Sequence, residues 1–353
     1  MHLFKALYIF FIVLALNIFF FSTTNINAKT FLIEDIEISE TLENNFNKDS
    51  LINKGFEKAF YELISTLLKS TDLKKINKTK SNEIKSMIES FSIKEEKFVN
   101  KIYYLNLGVS FNKKKVFDYL EKKNIFPTQI IKETFFFIPI IINQKNEDLI
   151  IFSNNPIYEK WDDVVKKTSL IRYLLPTQDL EDMNLIKSKS MNIENYNFEQ
   201  IIKKYFLEHS IVALIFKNDD EIKVLSKINI KDKKIIKNDT FKSINFKNDD
   251  QMQIFIKELK IVYDDLWKDY NQINTSIKFP LLIKVNSKNL ELSLKFEKTL
   301  NNIDLIGNYS INKFDKDFIY YEVIFNSTPK NFINIMRDRS FNFDTQKKVW
   351  ILK

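Results

Sequence analysis

Two stretches of this chain repeat apolar residues at spacings of three and four over several turns, and they set the terms for the fold. The first runs through Ile52, Phe56, Ala59, Phe60, Leu63, Ile64, Leu67 and Leu68; the second through Met252, Phe255, Ile256, Leu259, Val262, Tyr263, Leu266, Trp267 and Tyr270. That spacing collects each set on one face of a long helix, and Asp49 or Ser50 is placed to cap the first. The chain has 353 residues, and a single core rarely grows beyond about 250–300, so two or three domains are expected. Hydrophobic residues at 44% and charged residues at 28% are enough for sizeable cores and exclude a disordered chain.

Around these helices lie runs that read as strands: Phe31–Ser39, Lys101–Phe111, Thr134–Ile142, Leu149–Phe152, Ile171–Leu175, Ile211–Phe216, Ile222–Ile230 and Ile235–Phe246. Thr134–Ile142 is the most apolar and reads as a buried strand. Shorter helices are expected at Asn82–Ser90, Lys114–Lys123, around Trp161 and at Phe198–Phe206, with Thr177–Met191 mostly loop. Asn124 and Pro127 close a first unit, and the polar stretch Asn271–Ser276 reads as a linker. Beyond it the order is strand (Phe279–Val285), helix (Leu290–Leu300), two strands (Ile303–Ile311, Phe318–Phe325), helix (Pro329–Arg337) and strand (Val349–Leu352). Pro329 suits a first helical turn, and the order is that of a ferredoxin-like βαββαβ unit with Trp350 in its core. The fold class expected is therefore α/β (α+β): several small mixed-sheet units with helices on one face, at 29–130, 131–276 and 277–353, behind a separate segment 1–28.

That segment begins with Lys5 as its only charge, continues apolar from Ala6 to Phe21 except for Asn17, and ends Ser22-Thr23-Thr24-Asn25-Ile26-Asn27-Ala28. Basic, apolar and then polar is the order of a secretory signal. As a helix the apolar part reaches about 24 Å at about 1.5 Å per residue, against a hydrocarbon core of about 30 Å, which favours a cleaved leader over a retained anchor. Both readings put the protein in the periplasm of a bacterium, the second tied to the inner membrane by its N-terminus.

The composition excludes much chemistry. There is no cysteine, hence no disulfide, thiolate metal site, thioether haem or lipoprotein anchor. The three glycines, Gly55, Gly108 and Gly307, are far apart, so no phosphate-cradling loop exists. Beyond the leader the single histidine is His209, which rules out zinc sites built on several histidines; a residue closing a helix end is its expected role. A net charge of +8 carried almost wholly by lysine, with Arg only at 172, 337 and 339, argues against nucleic acid, whose grooves recruit arginine.

The carboxylates Asp179, Glu181 and Asp182 follow Pro176 in a loop after a strand, where functional groups of α/β units collect, and are the candidate ligands for a hard cation. The pairs Asp162-Asp163 and Asp264-Asp265 read as solvent-facing, and Trp161 as core.

Several segments, in this order, resemble a bacterial exported family known as domain of unknown function 2066. They are Ala59-Phe60, Leu105-Asn106-Leu107-Gly108-Val109-Ser110-Phe111 with Val116 and Leu120, Leu175-Pro176-Thr177-Gln178-Asp179, Tyr205 to Ile215, and Val323-Ile324-Phe325 through Phe332 and Met336 to Trp350-Ile351-Leu352. Where that pattern has glycine, this chain has Asn326-Ser327 and Arg339-Ser340. The resemblance implies no known activity. The expected function is a non-enzymatic envelope module, needing no cofactor, that binds a protein or peptidoglycan-associated partner. The alternative is a carboxylate-dependent metal hydrolase at Asp179, Glu181 and Asp182.

Overall fold

The first apolar stripe forms helix α1 (Lys48–Leu67), capped by Asn47, whose side chain accepts from Ser50 N at 3.0 Å. The computed structural model describes residues 30–43, 46–143, 148–218, 221–242 and 244–353; the leader-like segment lies outside the described residues. Helix α1 packs on an antiparallel sheet of β1 (Thr30–Thr41), β2 (Ile88–Val99) and β3 (Ile102–Asn112), ordered β1-β3-β2. Short helices α2 (Ser70–Ile76) and α3 (Ser81–Met87) precede β2, and α4 (Lys113–Lys122) follows β3. Alternation on β3 sends Leu105, Leu107, Val109 and Phe111 into the core. Gly55 permits the close approach of α1, since a Cβ there would meet Leu107 Cδ1 at 2.5 Å.

Strand β2 departs from the sequence expectation, which saw only a weak helix at Asn82–Ser90. The helix ends at Met87 and the chain becomes extended at Ile88. Between β2 and β3 the two-residue turn Asn100-Lys101 has φ of 52° and 63°, the twist-matched geometry of a tight hairpin.

In the middle unit, β4 (Glu133–Asn143) is buried on both faces, as its unbroken apolar run implies. Phe135, Phe137 and Ile141 enter one core; Phe136, Ile138 and Ile140 enter another. It is flanked by parallel β7 (His209–Lys217) on one side, and on the other by β5 (Asp148–Ile150) and parallel β6 (Ile171–Leu174). The antiparallel strands β8 (Glu221–Ile230) and β9 (Lys233–Lys242) extend the sheet beyond β7. Helices α5 (Pro156–Lys160) and α8 (Asp249–Tyr270), the second apolar stripe, cover one face. The helices α6 (Leu180–Lys187) and α7 (Glu199–Lys203) cover the other. Helices thus lie on both faces here, not on one, because parallel crossovers leave β4 on both sides.

The last unit comprises β10 (Phe279–Asn286), α9 (Leu290–Asn301), β11 (Ile306–Phe314), β12 (Phe318–Phe325), α10 (Pro329–Arg337), β13 (Phe343–Asp344) and β14 (Val349–Leu352). Its strand order is β11-β12-β10-β14-β13. The positions are those of a βαββαβ sandwich, but β14 runs parallel to β10, whereas two interlocked crossovers would make that pair antiparallel. The cause is β13, an extra short strand that turns the chain back before the final strand. At the helix end lacking the expected glycine, Ser340 itself adopts φ 66° and Phe341 N donates to Met336 O at 2.9 Å, closing the helix in the left-handed manner. Trp350 packs against Phe332 and Phe343. Deleting Trp350–Lys353 removes most of β14, and the C-terminal unit is expected to lose at least about 2–3 kcal/mol, read as a separate early transition in urea followed by near-ultraviolet circular dichroism.

The order β1-α1-β2-β3 of the first unit and β10-α9-β11-β12 of the last are the same topology, each sheet ordered first, third, second strand. The units are also welded together. The linker read at Asn271–Ser276 is tied down, with Gln129 N donating to Asn271 O at 3.0 Å and Ile273 N to Pro127 O at 2.7 Å. Asp264-Asp265 does not face solvent as its polar surroundings suggested: Asp264 is 1% exposed and paired with Lys268 at 3.1 Å, and Asp265 accepts from Ser70 N of the first unit at 2.8 Å.

Candidate binding groove

Helix α1 spans only part of its three-stranded sheet. On β2 the residues that share the helix-covered face are Ile88, Phe91, Ile93, Glu96 and Phe98, opposite Phe111, Val109, Leu107, Leu105 and the half-buried Tyr103 of β3; Glu96, paired with Lys48 at 2.8 Å, separates Phe98 from Phe91 and Ile93. Yet Phe91, Ile93 and Phe98 are 48%, 38% and 56% exposed. Between α1 and β2 lies a cavity of about 460 Å³ lined by Ile52, Phe56, Ile88 and Phe91, with Asp49, Asn53 and Lys85 at its polar margin. Phe56 and Phe91 meet edge-to-face with ring centres 5.0 Å apart. The last unit repeats the arrangement. Leu290, Leu294, Glu297 and Asn301 form one stripe of α9, whose lower part bonds Tyr321 and Tyr309 of the hairpin. Its upper part, Leu290 and Leu294, is exposed, as are Ile311 and Phe314 on the adjoining β11. In both units the outer hairpin strand keeps an uncovered apolar face.

The carboxylates singled out in the sequence have other occupations. Asp179 caps α6 by accepting from Glu181 N at 2.8 Å, Glu181 is exposed, and Asp182 is 1% exposed. The ammonium of Lys204 stands 2.6 Å from Asp182 and 3.5 Å from Asp179, where a cation would have to stand. The Glu181 amide and then Lys204 hold the Asp179 carboxyl below its ordinary range, and the bond to Asp182 raises Lys204. Among the described residues no group of three His, Asp or Glu side chains is arranged to hold a metal ion. Asp162 and Asp163 are exposed, and Trp161 is fully buried, stacked on Phe137 at 3.9 Å.

Lys260, a group the sequence reading passed over, sits above the rings of Trp161 and Tyr173 and donates to Trp161 O at 2.6 Å and Val164 O at 2.8 Å. Burial brings its pKa to about 8. It terminates α5 by satisfying open carbonyls.

His209 does not close a helix. It opens β7, 3% exposed, stacked on Phe135 at 4.8 Å and beside Trp267 at 5.3 Å, with no hydrogen-bond partner for Nδ1. Burial lowers its pKa, against the opposing pull of Glu133 and Glu208. Below about pH 6.5 the unfolded chain takes up a proton that the folded one resists, so stability is complete above that pH and declines as pH falls toward the lowered folded value. The urea midpoint of the middle unit is expected to drop from pH 7.5 to 5.5, and His209→Phe to shrink that drop; an equal drop in both proteins would remove His209 as its cause.

Among known proteins, no family model matches the chain, and no curated protein matches it.

Proposed function

We propose that this chain is a non-enzymatic module of the cell envelope that binds a protein or peptidoglycan-associated partner through the groove beside β2. The observation that carries the reading is the exposure of Phe91 and Ile93 beside the cavity, with Phe98 beyond Glu96, on the β2 face that lies opposite the core residues Val109, Leu107 and Leu105 of β3. Contiguous exposed apolar surface rimmed by polar groups marks interaction sites. The engagement of Asp179 and Asp182 with Lys204 and a helix end favours a binder over a carboxylate-based hydrolase. Periplasmic location rests on the basic, apolar and polar order of residues 1–28 and on the resemblance to the exported family. The inner membrane is then reached only through that segment where it is retained.

The test is cross-linking in intact envelopes followed by affinity capture of the tagged chain. A partner is expected to be enriched over an unrelated exported control, and Phe91→Asp with Phe98→Asp to abolish the enrichment while leaving the thermal midpoint within a few degrees. Absence of any enriched partner defeats the module reading; enrichment indifferent to the two substitutions defeats the groove.

A further inference from the structure

The shared topology of the two end units exposes a difference between them. In the last unit the outer edge of β10 is completed by β14, in parallel register with Leu282 opposite Val349, Ile283 opposite Trp350 and Lys284 opposite Ile351. That added strand is wholly apolar and flanked by Lys347, Lys348 and Lys353. The equivalent edge of the first unit belongs to β1, and among the described residues no strand pairs with it. Strand β1 carries Glu34, Asp35, Glu37 and Glu40 and no basic residue; Lys94 of β2 stands 2.8 and 3.4 Å from Glu34 and Asp35, and the exposed Lys54 of α1 stands 3.0 Å from Glu40, a surface pair that an incoming lysine can exchange. We infer that the free edge of β1 over Ile36–Thr41 takes up an extended partner segment with the chemistry of β14, apolar residues flanked by lysines, by strand addition.

The geometry confines the site to that half of the strand. A bulge at Glu34-Asp35, with Asp35 at φ 57°, breaks the ladder before Ile36. Lys167 of the middle unit also occupies Glu34 O at 3.2 Å. From Ile36 to Thr41 the pairing to β3 is regular. The outer main-chain groups there are those to which an added strand would bond, with alternate side chains supplying selectivity. Lys58 donates to Glu37 O at 2.7 Å; an incoming amide displaces this flexible side chain and the partner's own lysines replace its charge. Ile36 is fully buried, so the edge is held in place from within. The opposite edge, β2, is a poorer acceptor: it has two bulges and mixed charges, features that blunt strand pairing. Its counterpart β11 is likewise an outermost strand.

The site lies on the other edge of the sheet from the groove, so its test is separate from that of the proposed function. The probe is a fluorescent peptide with the sequence of residues 345–353, titrated into the intact chain by anisotropy at low and moderate salt, with hydrogen exchange mapping the contact. Saturable binding that weakens with salt is expected, with protection at 36–41. A loss of at least tenfold is expected in the double variant E37K/E40K, and no binding for the same peptide with its lysines replaced by glutamate. The peptide arm leaves the protein unchanged and so guards against a variant that misfolds. No saturable binding, protection at 88–99 or 279–286 instead, or indifference to both charge reversals overturns the proposal.

Discussion

Lys268→Met is expected to destabilise the protein by about 3–5 kcal/mol, the usual effect of removing one partner from a buried ion pair. Lys268 is 2% exposed, near the C-terminal end of α8, and donates to Ser65 O at 2.7 Å and Leu68 O at 3.0 Å of the first unit. It therefore answers the open carbonyls at the end of α1 and neutralises Asp264. Without it those carbonyls lie unpaired in a dry interface, and Asp264 keeps only the more distant Lys166, at 3.5 Å, with the bonds from Leu170 N and Ser169 Oγ. The decisive comparison is with D264N/K268M. An asparagine can still accept from Leu170 N but carries no charge, so the double variant should recover a substantial part of the loss. Urea midpoints of the three proteins measure this. A double variant no more stable than K268M would show that the uncompensated charge is not what costs stability. Because the Lys268 bonds to Ser65 O and Leu68 O join two units, the single variant should also split one transition into two, seen as an early change in accessibility at 126–131.

The same residues show where reading the sequence stops. Helix α8 was legible because its apolar stripe is wide and regular, but a charged residue on a polar face carries no mark of what lies across from it. Asp264 and Asp265 read as solvated, yet Asp264 is buried against Ser169 and Leu170 and Asp265 accepts from Ser70 of the docked first unit. The reverse holds for β2. Its inner residues Phe91, Ile93 and Phe98 ought to alternate, yet extra residues at Glu89 and Lys94 shift the register, and a bulge removes the period of two on which strand recognition depends. The groove was invisible for the same reason: without the strand there was no uncovered face to notice. Strand β4 lost nothing in translation, since burial on both sides leaves an unbroken apolar run. The carboxylates near Asp179 do follow a strand, but Glu181 and Asp182 stand in the first turn of α6 and not in the loop expected over Thr177–Met191, and the engagement of Asp179 and Asp182 by Lys204, twenty-odd residues on, depends on a crossover that spacing does not encode.

N155D tests the most concentrated polar device in the molecule. Asn155 is fully buried. The two N–H groups of its Nδ2 are shared among Pro139 O, Ile150 O and Ile151 O at 2.9, 3.1 and 3.0 Å, and its Oδ1 accepts from Ile157 N and Tyr158 N at 3.0 and 3.2 Å. The need arises from the sheet itself. On one side of β4, parallel β6 pairs only as far as Phe136 and β5 begins at Ile141. Pro139 falls in that gap, and its missing N–H points the same way as its carbonyl, out of the ladder. One side chain thus seals a break in the sheet and starts α5. The aspartate variant keeps the acceptor half, so the helix cap survives, but it cannot donate and sets a charge against three carbonyl oxygens. A loss on the order of 3–5 kcal/mol at pH 7.5 is expected. Burial raises the new carboxyl's folded pKa above its unfolded value, so stability should be regained as pH falls through that raised value, a trend opposite to the one His209 imposes on the parent. Urea unfolding at pH 7.5 and 5.5 reads both signs. A variant within about 1 kcal/mol of the parent at pH 7.5 would mean that the gap in the sheet is bridged by something other than this amide.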